Sequence, residues 1–168
     1  GEKIVDAQRD TSGYLWIATD SSVWRFDGQF LDSVHLTATD LEITALYIDT
    51  LTGVHIGSVN GEVYRFQNGK FELIYSDSTR GAISEIIPFH DRLSWIHQTG
   101  WVVVDEREPF YSGYDFIYSA ASKNNTLFIG TDFGLTSLNL ETANSEIVNY
   151  PSSRKPHIVT SVNSADGS

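Results

Sequence analysis

Residue types that could carry chemistry are present, but their spacing assembles no catalytic or metal-binding signature. Serine and histidine occur without a G-x-S-x-G elbow, and no H-x-x-x-H pair is found. The absence of cysteine excludes thiolate zinc sites and disulfides. We therefore predict no catalytic residue, no metal site and no cofactor, and we expect the chain itself not to be an enzyme. The histidines stand at unrelated positions: His35, His55, His90, His97 and His157.

Two aspartates, Asp10 and Asp49, each stand a few residues before a glycine, an arrangement found in calcium loops and in tight turns. No D-x-D-x-D series of oxygen ligands follows either of them. Aspartate accepts hydrogen bonds from backbone amides just downstream, and glycine adopts the positive φ that many turns require. We interpret both aspartates as turn residues.

The composition bounds the class of protein. The chain has 168 residues, enough for one domain with a core, and a formal net charge of −11. This charge disfavours nucleic acid or an anionic membrane surface as the main partner. No apolar run approaches the roughly 18 residues of a membrane helix, so we expect no membrane insertion in this segment. Strand-length apolar runs separated by turn residues indicate an all-β protein.

An internal repeat defines the elements that would position a site. Residues 15–19 and 23–28 read as two strands closed by an Asp-Gly hairpin signal, and residues 54–58 and 63–69 repeat them. A fourth copy is clear at residues 127–138. Thr19, Ser58, Gln98 and Thr131 mark the copies, and their spacings (58 − 19 = 39, 98 − 58 = 40, 131 − 98 = 33) suit a four-stranded propeller blade.

The third copy departs most from the pattern. It lacks the turn glycine, and aligning its Trp95 with Trp16 places His97 where Ala18 and Gly57 stand in the first two copies. The small residue beside the tryptophan is expected to leave room for the large side chain in a sheet that is buried on both faces. We interpret these positions as packing residues and not as a ligand cage.

The pattern I-x-x-x-x-x-D-x-x-G-x-L-W-I-x-T followed by V-x-R-F-D-G resembles the two-component regulator propeller repeat. This resemblance implies an extracytoplasmic, periplasmic sensor region of a bacterial two-component signalling protein, with a membrane helix and a kinase or similar output module downstream. It also implies a ring of about seven blades. The residues that carry it are Ile4, Asp10, Gly13, Leu15, Trp16, Ile17, Thr19, Val23, Arg25, Phe26, Asp27 and Gly28.

We therefore predict an all-β β-propeller segment over residues 1–168, with four four-stranded blades at about 4–36, 43–76, 83–112 and 116–150. Residues 158–168 are predicted to begin a fifth blade. The segment is expected to be an incomplete part of a larger propeller, because an open arc leaves apolar terminal faces in water. Further blades or self-association would cover these faces; a closed four-bladed ring with residues 158–162 swapped into the first blade is the alternative.

Antiparallel topology places the links between second and third strands and the links between blades at one face. That face is polar and aromatic, which suits a small ligand such as a carbohydrate or a peptide, although ordinary solvated loops have the same composition. The candidate ligand-binding residues are Asp20, Asn60, Gln98, Trp101, Tyr114, Asp115, Asp132 and Phe133. We expect a non-enzymatic ligand-binding or protein-interaction sensor; a propeller lyase or hydrolase acting on polysaccharide and a pure protein scaffold are the alternatives.

Overall fold

The computed structural model describes residues 1–38, 40–51, 53–89, 92–104, 109–114, 116–131, 134–139, 142 and 144–148. The predicted fifth-blade strand at 158–168 lies outside these residues. The chain divides into two compact units, Gly1–Ile86 and Ile87–Ser168.

The described residues form strands throughout, with one short 3₁₀ turn at Ser78–Arg80. The strands are β1 (Ile4–Arg9), β2 (Leu15–Thr19), β3 (Val23–Phe26), β4 (Leu31–Leu36), β5 (Ile43–Asp49), β6 (Gly53–Ser58), β7 (Glu62–Gln67), β8 (Lys70–Ser76), β9 (Ile83–Phe89), β10 (Arg92–His97), β11 (Trp101–Val104), β12 (Phe110–Tyr111), β13 (Ile117–Lys123), β14 (Thr126–Thr131), β15 (Gly134–Asn139) and β16 (Asn144–Ile147).

Consecutive strands form four antiparallel meanders of four strands each, in the order in which the chain runs. The first meander is β1 to β4, the second β5 to β8, the third β9 to β12 and the fourth β13 to β16. A β-bulge interrupts the first strand of three meanders at the same place, between Ile4 and Asp6, between Ile43 and Ala45, and between Ile117 and Ser119. The repeat therefore extends to backbone irregularities, and the predicted all-β class of four-stranded units is confirmed.

In the first unit the two meanders also join at their last strands. Strands β4 and β8 pair in parallel over two residues, His35 with Lys70 and Leu36 with Phe71. The Thr37 hydroxyl donates to the Phe71 carbonyl at 2.7 Å and extends this junction. The result is one eight-stranded sheet whose order is β1-β2-β3-β4-β8-β7-β6-β5.

The core of the first unit lies between these two meanders. Trp16 is 2% exposed and packs edge-on against Phe66, with ring centroids 4.9 Å apart. Ala18 and Val23 from the first meander and Ile56 from the second complete its centre. Alternation along β2 sends Trp16 and Ala18 to this interior, so the interpretation of both as packing residues is correct.

The strand pairing corrects the alignment of the third meander by one residue. Ile96 pairs with Val102 as Ala18 pairs with Val23, so Ile96 fills the small-residue position. His97 consequently occupies the position of Thr19, because alignment on the tryptophans ignored which β10 residues face their partners on β11. The hydrogen bond from Gly100 N to His97 O matches the bond from Gly61 N to Ser58 O in the second meander.

Candidate functional site

The two candidate residues of the first unit, Asp20 and Asn60, lie on turns at one edge of its sheet. The Asp20 carbonyl accepts from Ile43 N at 2.9 Å, which brings the β2–β3 turn to the start of β5. Ile43 pairs with Ser58, the last residue of β6, and Asn60 follows in the next turn. Asn60 is exposed and Asp20 half-buried, so these turns form one polar edge.

This edge carries a hydrogen-bonded carboxylate in each meander. At the β2–β3 turn, Glu2 Oε2 accepts from Thr19 Oγ1 at 2.7 Å and from Ser22 Oγ at 2.6 Å. At the β6–β7 turn, Glu62 Oε2 accepts from Ser58 Oγ at 3.1 Å and from the Tyr64 hydroxyl at 3.0 Å. Neither carboxylate was predicted from the sequence; the hydroxyl residue that ends β2 and β6 was the available signal.

In the second unit the structure brings Gln98, Trp101 and Tyr114 together around the β10–β11 turn. The Gln98 carbonyl accepts from Ile117 N at 3.0 Å, as Asp20 does from Ile43. Gly100 has a φ of +91°, and a Cβ at this position would overlap the Tyr114 carbonyl oxygen. The turn therefore needs glycine both for its backbone conformation and for the close approach of Tyr114.

The aromatic candidates of this unit have different surroundings. Trp101 is half-buried and packs on the exposed Tyr111 with ring centroids 5.5 Å apart and an interplanar angle of 48°. Tyr114 packs instead against the hydrophobic core of its unit, which contains Ile117 and Ile129. Trp101 with Tyr111 is thus the accessible aromatic surface, whereas Tyr114 mainly supports the turn.

Three further candidates, Asp115, Asp132 and Phe133, lie outside the described residues. Gln98 is exposed, as a ligand contact requires. The described candidates thus fall into one group in each unit, Asp20 with Asn60 and Gln98 with Trp101 and Tyr114.

Two titratable groups with shifted pKa values, the buried His55 and the half-buried Glu85, lie away from these turns. Burial lowers the pKa of His55 to about 4, with a smaller contribution from the charge of Arg65. Burial, reinforced by the charge of Asp6, raises the pKa of Glu85 to about 7. Neither environment could be derived from the sequence, because each depends on which strand face is covered.

The described part of the chain contains no group of three or more histidine and carboxylate side chains arranged to hold a metal ion. Asp10 binds its own turn: Oδ1 accepts from Ser12 N and Tyr14 N, each at 2.9 Å, and Oδ2 accepts from Trp16 Nε1 at 2.8 Å. Over the same described residues, no helix has the length and apolarity needed to cross a membrane.

The repeated four-stranded meanders can now be compared with known structures. The chain has a β-propeller fold. It is similar to the extracellular domain of a B. thetaiotaomicron protein described as a one-component system, with a TM-score of 0.75 and 18% sequence identity over 95% of this chain. A second B. thetaiotaomicron structure, the extracellular domain of a hybrid two-component system, has a TM-score of 0.66 and 14% identity over 89% of this chain.

A third similar structure is an enzyme, the virginiamycin B lyase of Staphylococcus aureus, with a TM-score of 0.68 and 12% identity over 92% of this chain and 58% of the lyase. The chain spans 23% and 25% of the lengths of the two B. thetaiotaomicron chains. No protein-family model matches the sequence, and a search among curated proteins finds no match. A second structure of the first protein describes it as a hybrid two-component system. Both extracellular domains therefore come from two-component signalling proteins, the class that the repeat pattern implies.

Proposed function

We propose that this chain is a non-enzymatic, ligand-binding segment of an extracytoplasmic sensor in a bacterial two-component signalling protein. Its likeness in fold to extracellular domains of such systems supports this proposal, as does the repeat pattern of its sequence. In this proposal the chain is one part of a longer propeller, and further blades or a second copy cover its terminal sheet faces.

The accessible aromatic surface at the β10–β11 turn is the observation that carries the binding function. Trp101 packs on Tyr111 and is only half-buried, and the exposed Gln98 belongs to the same turn. An aromatic face beside a hydrogen-bonding group suits the apolar face and hydroxyls of a sugar, or a peptide group. We propose that a carbohydrate or a peptide binds there, with Asp115, Asp132 and Phe133 as further contacts.

The test is a binding screen of the purified chain and two variants on arrays of neutral oligosaccharides and short peptides. Trp101→Ala is expected to lower affinity about tenfold, which corresponds to about 1.4 kcal/mol of binding free energy. Phe30→Ala is the matched control, because Phe30 is a 66% exposed aromatic residue between β3 and β4 in the first unit. Thermal unfolding of both variants should stay close to that of the parent.

Three outcomes would contradict this proposal. Equal loss of binding in both variants would mean that the turn does not form the binding surface. Conversion of a bound oligosaccharide into products would show an enzyme and would refute the non-enzymatic assignment. Unchanged binding after Trp101→Ala would remove the aromatic surface from the site.

A further inference from the structure

Two hydroxyl groups at the β2–β3 turn each accept a hydrogen bond and lie within donating distance of the same carboxylate oxygen. Thr19 Oγ1 accepts from Ser22 N at 2.9 Å, and Ser22 Oγ accepts from Trp24 Nε1 at 2.8 Å. A hydroxyl whose oxygen already accepts still has one proton to donate. Both oxygens lie within 2.7 Å of Glu2 Oε2, so each hydroxyl can donate to this carboxylate oxygen. The two hydroxyls also lie 2.8 Å from each other, and Thr19 Oγ1 lies 3.1 Å from the Ser22 carbonyl, so an ionised acceptor competes with these neutral ones.

The second meander also places a carboxylate at this turn. There Ser58 Oγ accepts from Glu62 N at 3.2 Å, in the way that Thr19 Oγ1 accepts from Ser22 N. The Glu62 carboxylate, on the strand itself, receives the protons of Ser58 and Tyr64. Serine stands at the Glu62 position in the first meander, and the carboxylate comes from Glu2, outside the strand.

The Glu2 side chain can leave this position without unfolding the segment that carries it. Its main chain is anchored separately, because Asp20 N donates to the Lys3 carbonyl at 2.9 Å and β1 begins at Ile4. Glu2 is exposed, so its carboxylate exchanges two hydrogen bonds for water when it moves away. The hydrogen bonds from Ser22 and Thr19 hold the pKa of Glu2 below its usual value, which shows that the position favours the ionised carboxylate.

We propose that Thr19 and Ser22 form a carboxylate-binding site, which Glu2 occupies in the ligand-free chain and which a carboxylate of the ligand takes by displacing Glu2. This inference rests on the proposed sensing function and gives the chemistry of a ligand that the first unit binds by itself: a sugar acid or the carboxyl terminus of a peptide. The two sources share the same group, and hydroxyl donors to an ionised acceptor give stronger hydrogen bonds than neutral pairs. Asp20 lies on the same turn, and its negative charge is expected to repel a carboxylate ligand and weaken its binding.

The test follows the indole N–H resonance of Trp24, which reports directly on Ser22 Oγ. Glucuronate and N-acetylglycine are the two carboxylate probes, and glucose and N-acetylglycinamide are their neutral counterparts. Glu2→Ala removes the internal competitor, which has an effective concentration of order millimolar, so it should lower the apparent Kd of the carboxylates about tenfold. Asp20→Asn should lower it further by removing repulsion.

Glu2→Ala combined with Thr19→Val should raise the apparent Kd of the carboxylates about tenfold above that of Glu2→Ala alone, because one of the two donors is lost. Ser58→Ala combined with Glu2→Ala is the matched control, because it removes the equivalent hydroxyl of the second meander. That hydroxyl is already bound to Glu62, so this variant should bind carboxylates as well as Glu2→Ala alone. An indole resonance of Glu2→Ala that does not move with either carboxylate, or moves equally with the neutral counterpart, overturns the inference. If the resonance does not respond but Trp101→Ala still weakens ligand binding, only this inference is refuted and the proposed function stands. If carboxylates do bind at Thr19 and Ser22 but Trp101→Ala leaves ligand binding unchanged, only the proposed aromatic surface is refuted.

Discussion

The first two meanders place the same kind of side chain at the same register, yet they bury it to opposite extents. Phe26 pairs with Leu31 across β3 and β4, as Phe66 pairs with Phe71 across β7 and β8. Phe71 is fully buried, whereas Leu31 is 54% exposed. Local sequence and strand geometry are alike, so they do not explain the difference.

The difference comes from what covers each sheet face. Trp16 of the first meander lies over the Phe66 and Phe71 rings, with centroids 4.9 Å and 6.5 Å away. In the described part of the chain, the equivalent face of the first meander keeps Leu31 exposed and Phe26 half-buried. A meander of this type therefore gains its stability from the preceding meander, as expected for stacked repeats.

The largest expected effect tests this contrast directly. Phe71→Ala should lower the free energy of unfolding by about 3–5 kcal/mol, because it removes a fully buried ring beside Trp16. Leu31→Ala should cost less than about 1 kcal/mol, since most of its side chain already contacts water. Urea titration of both variants measures the two values. Similar losses would show that the face of the first meander is also covered in solution.

The pH dependence of stability sharpens the comparison at another shared position. His55 pairs with Arg65 in the second meander, where Trp16 pairs with Arg25 in the first. Its pKa of about 4 lies below the ordinary value of 6.5, so the native state resists protonation of this ring. The stability associated with neutral His55 is present above pH 6.5 and is lost as the pH falls through 4. The full loss amounts to about 3 kcal/mol.

Glu85 works in the opposite direction over the same range. Its pKa of about 7 lies above the ordinary 4.5, so its contribution is full below pH 4.5 and is lost as the pH rises through 7. The full contribution of Glu85 to the free energy of unfolding is also about 3 kcal/mol. Between pH 4.5 and 6.5 the contributions of His55 and Glu85 should therefore largely cancel. In Glu85→Gln only His55 titrates, so the free energy of unfolding of this variant should fall as the pH is lowered from 6.5 to 4.5. In His55→Gln only Glu85 titrates, so the free energy of unfolding of that variant should rise over the same change. Parallel pH profiles for parent and variants, from urea titrations at each pH, would contradict both assignments.

A third contrast concerns the small residue that follows Trp16 and His55 by two positions. A Cβ at Gly57 would lie 2.6 Å from Ile83 Cγ2 and 2.7 Å from Ile83 Cβ, whereas the first meander already holds Ala18 here. Gly57→Ala should therefore cost about 1–3 kcal/mol through overpacking. Ala18→Gly, the reciprocal change, should cost about 1 kcal/mol through strand flexibility. A neutral or stabilising Gly57→Ala in thermal unfolding would show that Ile83 moves aside.

Much of the fold could be predicted from the sequence because its signals are local. Alternation, turn glycines and the recurrence of residues 15–28 at residues 54–69 define strands and their order. The third meander was misaligned because Trp95 resembles Trp16 in type, while strand pairing places Ile96 opposite Val102. Residue type and register usually agree in a repeat, and here they do not.

The candidate site was predicted only in outline. Turn residues such as Asp20 and Gln98 follow from strand order, and the structure places both where a turn carbonyl binds the next first strand. The carboxylate of Glu2 could not be assigned to the β2–β3 turn, because the contact joins residues 17 and 20 positions apart. Such contacts depend on the tertiary fold and cannot be predicted from sequence periodicity.

The smallest expected effect concerns the ring nitrogens of Trp16 and His55, which occupy the same position in the first two meanders. Asp10 Oδ2 accepts from Trp16 Nε1 at 2.8 Å, whereas His55 Nδ1 lies 3.1 Å from the Gly53 carbonyl. In Asp10→Asn the side-chain oxygen can still accept from the backbone amides of the turn, but an NH₂ group then faces the indole N–H of Trp16 and cannot accept from it. Together with Trp16→Phe it forms a double-mutant cycle in urea, with an expected coupling of about 1 kcal/mol for this hydrogen bond. A coupling near zero would mean that the indole is positioned by packing alone, and the first meander would then hold its ring no more specifically than the second holds His55.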